Sequence, residues 1–185
     1  MLFRSGFPGL NLSQEIRDGL LKHSSPWDHP EDTQHHTLEA QIVNLADEVA
    51  YNNHDLDDGL NAGILEESDL AKNVRLYQEA QKVIQSQYTQ LASHERRHLI
   101  NSHLISSLVK DIYLTTTQNI ETRQINTIQD IQSHPKPTAS FSKDMLDKNK
   151  ELRRYLFQNF YLHPQVYRMN KKGQRLITQL FNAYT

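Results

Sequence analysis

Cysteine is absent from this chain of 185 residues, which removes disulfides, iron–sulfur clusters and thiol catalysis from consideration at once. No apolar run approaches the roughly 18 residues that a membrane helix needs, and no charged, apolar, small-residue leader opens the sequence. A soluble, cytoplasmic protein with no membrane partner is the expectation. Neither sign of charge dominates: 20 Lys and Arg stand against 22 Asp and Glu. With no basic stripe, nucleic acid is not expected as a main partner. Only six glycines and six prolines punctuate the chain, and strand-like alternation of Val, Ile and Thr is almost missing. The expected fold class is all-α.

What the chain does have is polar bulk. Apolar residues make up 37% and charged ones 23%, lean for a globular domain. Much of the remainder is Gln, Asn and His, which suits long solvated helices that rely on neighbours for burial. The length fits one moderate domain with a real core.

Helical periodicity recurs along most of it. "SQEIRDGLLKH" (13–23) predicts a short helix with Ser13 as N-cap and Glu15 in the positive first turn. Residues 24–36, with two prolines, form a loop. A second helix is predicted from Leu38 to about His54; Leu38, Ile42, Leu45 and Val49 recur at steps of three and four and define a buried stripe. Residues 70–88 and 93–117 give two more helices, the latter with Ile100, Leu104, Ser107, Leu108 and Ile112 on its apolar face. The period fails over 120–142, and "SHPKPTASFS" is non-helical. A last pair follows at 143–161, begun at Ser142, and 165–184. The expected organisation is 1–119 as one helical domain, 120–142 as an irregular connector and 143–185 as a C-terminal helical pair.

The stretch "NLADEVAYNNHDLDDG" (44–59) carries the candidate chemistry. A helix advances about 100° per residue, so Tyr51, Asp55 and His54 lie about 40°, 80° and −20° from Asp47, on one stripe distinct from the apolar one. A solvated face explains that stripe without any function. Tyr51 between two carboxylates also suits a flat platform with a polar tip, as in a nucleoside pocket, and the acids of "HDLDD" crowd the helix end. Residue types alone leave both readings open. His35 and His36 fall in the loop. His94 and His98 are one turn apart, as a metal pair would be, but Arg96 and Arg97 disfavour a cation there; those arginines suit a phosphate or a plain surface helix equally. No Gly-rich phosphate loop, nucleophile elbow or zinc-protease histidine pair occurs.

The segments "FPGLNLSQEIRDGLLKHS", "HTLEAQIVNLADEVAYNNHDLDDGLNAGIL", "ERRHLINSHLISSLVKD" and "ELRRYLFQNFYLHPQVYRM…LITQLFNAY" occur in an order that resembles the C-terminal part of the deoxyguanosinetriphosphate triphosphohydrolase-like proteins, dNTP triphosphohydrolases of the HD superfamily. The resemblance covers nearly the whole chain. It implies a helical bundle and an activity that converts a dNTP and water to a deoxynucleoside and inorganic triphosphate. It also implies a divalent metal, Mg or Mn, held by a His, a His-Asp doublet and a later Asp. Asp47 matches that last metal ligand. Tyr51 matches the tyrosine that packs on the deoxyribose and disfavours a 2′-hydroxyl, and Asp55 the carboxylate that hydrogen-bonds the 3′-hydroxyl. His54-Asp55 is not the family doublet, which comes before "GLNL".

The other ligands are not in this sequence, so a truncated, catalytically incomplete chain is expected, with no complete set of catalytic residues and no tightly bound metal of its own. A reactive cation needs several ligands in fixed geometry to polarise phosphate and acidify its water. The partners expected are a dNTP substrate, and a second copy or a chain supplying the HD helices. Apolar surface left bare along Leu38, Ile42, Leu45 and Val49 should drive self-association or rearrangement. The alternative is a non-catalytic regulatory or oligomerisation module.

Overall fold

The computed structural model describes residues 10–21 and 37–184. The expected loop at 24–36, and with it His35 and His36, lies outside the described residues. All regular structure among the described residues is helical: α1 (Gln14–Leu21), α2 (Leu38–Asn61), α3 (Glu67–Asn73), α4 (Arg75–Gln87), α5 (Ser93–Thr122), α6 (Ile128–Ser133), α7 (Lys143–Leu156), a π-helical turn (Phe157–Tyr161) and α8 (Pro164–Tyr184). The all-α expectation holds. No helix among the described residues is long and apolar enough to cross a membrane. By compactness the chain falls into two units, 1–49 with 109–142 and 50–108 with 143–185.

In the first unit, short polar side chains start the helices as their chemistry requires. Ser13 Oγ accepts the Ile16 amide (3.4 Å) and Thr37 Oγ1 accepts the Ala40 amide (3.4 Å), each satisfying one of the orphan donors of a helix N-terminus. The segment after α6 has no periodicity, yet it is tightly held. Buried Gln41 of α2 accepts the amides of Thr138 (2.8 Å) and Ala139 (3.0 Å). Asn119 of α5 donates to the Thr138 carbonyl (2.9 Å) and to Ser140 Oγ (3.1 Å), and the Asp111 carboxylate accepts both the amide and the hydroxyl of Ser142 (2.8 and 2.7 Å). Buried extended backbone must find partners somewhere, and here side chains from two helices provide them.

Two expectations need correction in this unit. The expected irregular stretch from 120 contains the last turn of α5 and the short helix α6. Thr127 and Asp130 close a capping box around the start of α6, a local signal strong enough to fix one turn and a half. Of the stripe expected to be left bare, Ile42 is 41% exposed but Val49 is 3% exposed. Periodicity states which face is apolar, not whether anything covers it.

The second unit contains the larger part of the core. Leu56 of α2, Leu70 of α3, Tyr77 of α4, Ile100 and Leu104 of α5 and Leu152 of α7 are all essentially inaccessible. The helix expected over 70–88 is two helices, broken at Val74, whose backbone is extended (φ −127°, ψ 102°). Glu151 of α7 explains the break: its carboxylate accepts the Arg75 amide (2.6 Å) and the Arg75 guanidinium (3.0 Å). An acid 76 residues away thus caps α4, where helix-dipole charge and a free N–H both favour an anion. Three further contacts fasten α7. Lys148 reaches Glu79 of α4 (2.8 Å), the Tyr155 hydroxyl donates to Asp69 of α3 (2.6 Å), and buried Asn52 of α2 donates to Asn149 (3.3 Å).

Candidate functional site

The second half of α2 and the π-helical turn meet within the second unit. Gly59 permits the approach: a Cβ there would lie 2.5 Å from Leu65 Cδ1 and 3.2 Å from Phe160. A π-turn takes up more residues than an α-turn, so residues beyond Leu156 leave the face that α7 set. Tyr161 comes to lie against α2. Its ring stacks on Tyr51, with centroids 6.2 Å apart and planes at 29°, and its hydroxyl donates a hydrogen bond to the Asp55 carboxylate. Phe157 and Phe160 flank the Tyr161 ring edge-on and tilted, at 6.5 and 5.6 Å.

Two of the sequence candidates are therefore brought together, with a third residue that sequence reasoning missed. Tyr51 is 46% exposed, so one side packs on Tyr161 while part of the ring stays accessible. Asp55 is partly buried. One of its carboxylate oxygens accepts the Tyr161 hydroxyl, and the other has no hydrogen-bond partner among the described residues. Burial pushes the Asp55 carboxyl above the ordinary range; the Tyr161 hydrogen bond pulls it down, Asp58 raises it and His54 lowers it. The Tyr161 phenol is pushed far up, by burial first and then by its bond to Asp55. The arrangement can present an aromatic face beside a hydrogen-bond acceptor.

Asp47 is exposed one turn before Tyr51 on α2 and belongs to the first unit. His54 is exposed and faces Asp55 only through its charge. Nowhere among the described residues do three His, Asp or Glu side chains gather so as to hold a metal ion. The donor set does not fit a metal that must be fixed by several ligands. His94 and His98 are exposed. Arg96 and Arg97 are engaged within the chain: Arg96 forks onto Glu67 (3.1 and 3.2 Å), while Arg97 lies 3.9 Å from the same acid and donates to the Leu60 carbonyl (3.3 Å). A separate polar cleft of about 360 Å³ runs beside Asp69, Asn73, Glu151, Arg154 and Tyr155. Its two acids already serve Tyr155, Asn73 and Arg75.

Residues 139–185 match the family described as the phosphohydrolase-associated domain. Nearly the full chain aligns with longer proteins. A deoxyguanosinetriphosphate triphosphohydrolase-like protein of Geobacter sulfurreducens is 39% identical over 186 residues, covering 97% of this chain and 48% of the relative. Proteins of the same name from Thiobacillus denitrificans and Bordetella pertussis are 34% and 36% identical, over 97% and 96% of this chain and 50% and 48% of the relatives. The chain is similar to the C-terminal half of deoxyguanosinetriphosphate triphosphohydrolase-like proteins. It spans about half the length of the curated relatives it matches.

Proposed function

We propose that this chain supplies the sugar-recognising part of a dNTP triphosphohydrolase, the activity that turns a dNTP and water into a deoxynucleoside and triphosphate. The observation that carries this reading is the cluster of Tyr51, Asp55 and Tyr161. The exposed part of the Tyr51 ring would pack on the deoxyribose, where a 2′-hydroxyl would meet an apolar face without a partner. The open oxygen of Asp55 would accept the 3′-hydroxyl. Tyr161 would fix both: stacking sets the Tyr51 ring plane, and its O–H holds the carboxylate.

Asp47 matches a metal ligand of the HD superfamily by resemblance, but one exposed carboxylate does not fix a reactive divalent ion. No chemical step is assigned through it. The 185-residue chain by itself is accordingly proposed to bind the nucleoside end weakly and to lack turnover, with a chain carrying HD-type ligands needed for hydrolysis. The test is incubation of the pure chain with each dNTP in Mg or Mn, with triphosphate release followed by anion-exchange chromatography. Background release is expected; steady turnover above that of a Tyr51→Ala, Asp55→Ala control would refute the incompleteness.

A second reading, a non-catalytic assembly module, is favoured by one observation. The phosphohydrolase-associated match ends in α8, a helix with no buried residue at all.

A further inference from the structure

Polar contacts from α7 divide by the helix they reach. Glu151 and Lys148 hold it to α4, and Tyr155 holds it to α3. Asn149 holds it to α2: the Asn52 amide donates to Asn149 Oδ1 at 3.3 Å. Asn149 is 0% and Asn52 4% exposed. Two amides in a core carry a desolvation cost that a pair of leucines would not, so stability alone is a poor account of them.

Their place in the chain offers another. Asn52 directly follows Tyr51 on α2 and stands three residues before Asp55. Asn149 lies seven residues, about two helical turns, before Leu156, where α7 gives way to the π-turn that carries Tyr161. One bond thus joins the two elements whose side chains make the candidate site. Further on, the π-turn meets α2 again where Phe160 lies against Gly59. Asp55, which accepts the Tyr161 hydroxyl, falls between Asn52 and Gly59 on α2.

We infer that the Asn52–Asn149 pair is a register pin for the sugar site: it fixes α7 along α2 and so places the Tyr161 hydroxyl on Asp55 and the Tyr161 ring on Tyr51. Both asparagines are positioning residues, and neither is set against the nucleotide. The consequence for nucleotide choice rests on the proposed sugar-recognising function; the positioning itself does not.

Apolar packing and amide pairing differ in how sharply they resist sliding. Leu56, Leu152 and Leu156 keep their burial through a small shift, because the hydrophobic effect has no direction. A hydrogen bond is lost within about half an ångström of stretch or a few tens of degrees of tilt. A slip of one residue along a helix is about 1.5 Å, enough to break the Tyr161 bond to Asp55 as well. Buried asparagines fix register in coiled coils in this way, at a cost in stability.

Asn52→Leu removes the donor and keeps the bulk. In the full 185-residue chain the Asp55 carboxyl carbon is titrated by NMR, and the Tyr51–Tyr161 contact is followed by nuclear Overhauser effects. Asp55 should titrate higher than in wild type, toward its behaviour in Tyr161→Phe, and the ring contact should weaken. The preference for dGTP over GTP should fall about fivefold, what one hydrogen bond contributes. Glu151→Ala is the control: it unfastens α7 from α4 rather than from α2, so it should lower Tm without moving either signal. Asn52→Ala is a second variant read in the same way.

An unchanged Asp55 titration and ring contact in a folded Asn52 variant overturns the pin, as does an equal response to Glu151→Ala. Failure of both Asn52 variants to fold assigns the pair to stability and overturns it too. Equal binding of dGTP and GTP by the wild type removes the sugar-recognising function instead, and the two nucleotide-free signals then decide the pin by themselves.

Discussion

Tyr161→Phe removes one oxygen and leaves the ring, so it isolates the hydrogen bond to Asp55 from the stack on Tyr51. A hydrogen bond to an ionised group contributes roughly 1.5–3 kcal/mol when well buried. Asp55 is only partly buried, and solvent screening brings the expected loss to about 1 kcal/mol. In a chain of this size that corresponds to a fall of roughly 2–4 °C in Tm. The titration of Asp55 is the sharper readout. Burial already raises its pKa and the Tyr161 bond opposes that rise, so the variant should titrate higher still.

The sign of the stability effect follows. A carboxyl whose folded pKa is raised contributes stability that is fully present below its unfolded value and lost as pH rises through the folded one. Removing the phenol shifts the upper edge of that window upward, so the stability difference between wild type and variant should open as pH rises and vanish in acid. Urea melts at several pH values, with the Asp55 carboxyl carbon followed by NMR, measure both. An unchanged Asp55 titration in Tyr161→Phe would refute the assigned contact and with it the positioning role of Tyr161.

Glu151→Ala removes the anion that caps α4 and should cost about 1 kcal/mol, with faster amide exchange confined to the first turn after Val74; uniform exchange across α4 would argue against capping. Gly59→Ala forces a methyl against Leu65, which is 3% exposed. A loss of about 1–3 kcal/mol is expected in denaturant melts, since the packed site has little room to give; a neutral result would contradict the close approach of α2 to the Phe160 turn.

Local chemistry was readable in the sequence and distant chemistry was not. Ser13 announced a helix start because its cap lies three residues away, and Ile100, Leu104 and Leu108 gave the buried face of α5 because their spacing is that of a helix. The break at Val74 was hidden, since the group that replaces the missing helix bonds is Glu151 of another helix. Val49 shows the opposite failure: it shares the phase of exposed Ile42, yet it is buried, because what covers each residue is not encoded in their own segment. In the candidate site, Tyr51 and Asp55 were placed on one stripe by arithmetic and do share one aromatic partner. Tyr161 was missed because a regular α-helix was assumed through Phe157–Tyr161. The cluster of three aromatics in "FQNFY" was the available hint, and the π-turn that carries Tyr161 brings Phe160 close to Gly59 of α2, a contact distant in sequence.

The most direct trial of the sugar-recognition site is an NMR titration of the isotope-labelled chain with dGTP and, separately, GTP. Shifts centred on Tyr51, Asp55 and Tyr161, larger for the deoxynucleotide and abolished by Tyr51→Ala, are the expected result. Equal responses to the two nucleotides, or shifts that bypass these three residues and survive Tyr51→Ala, would contradict it.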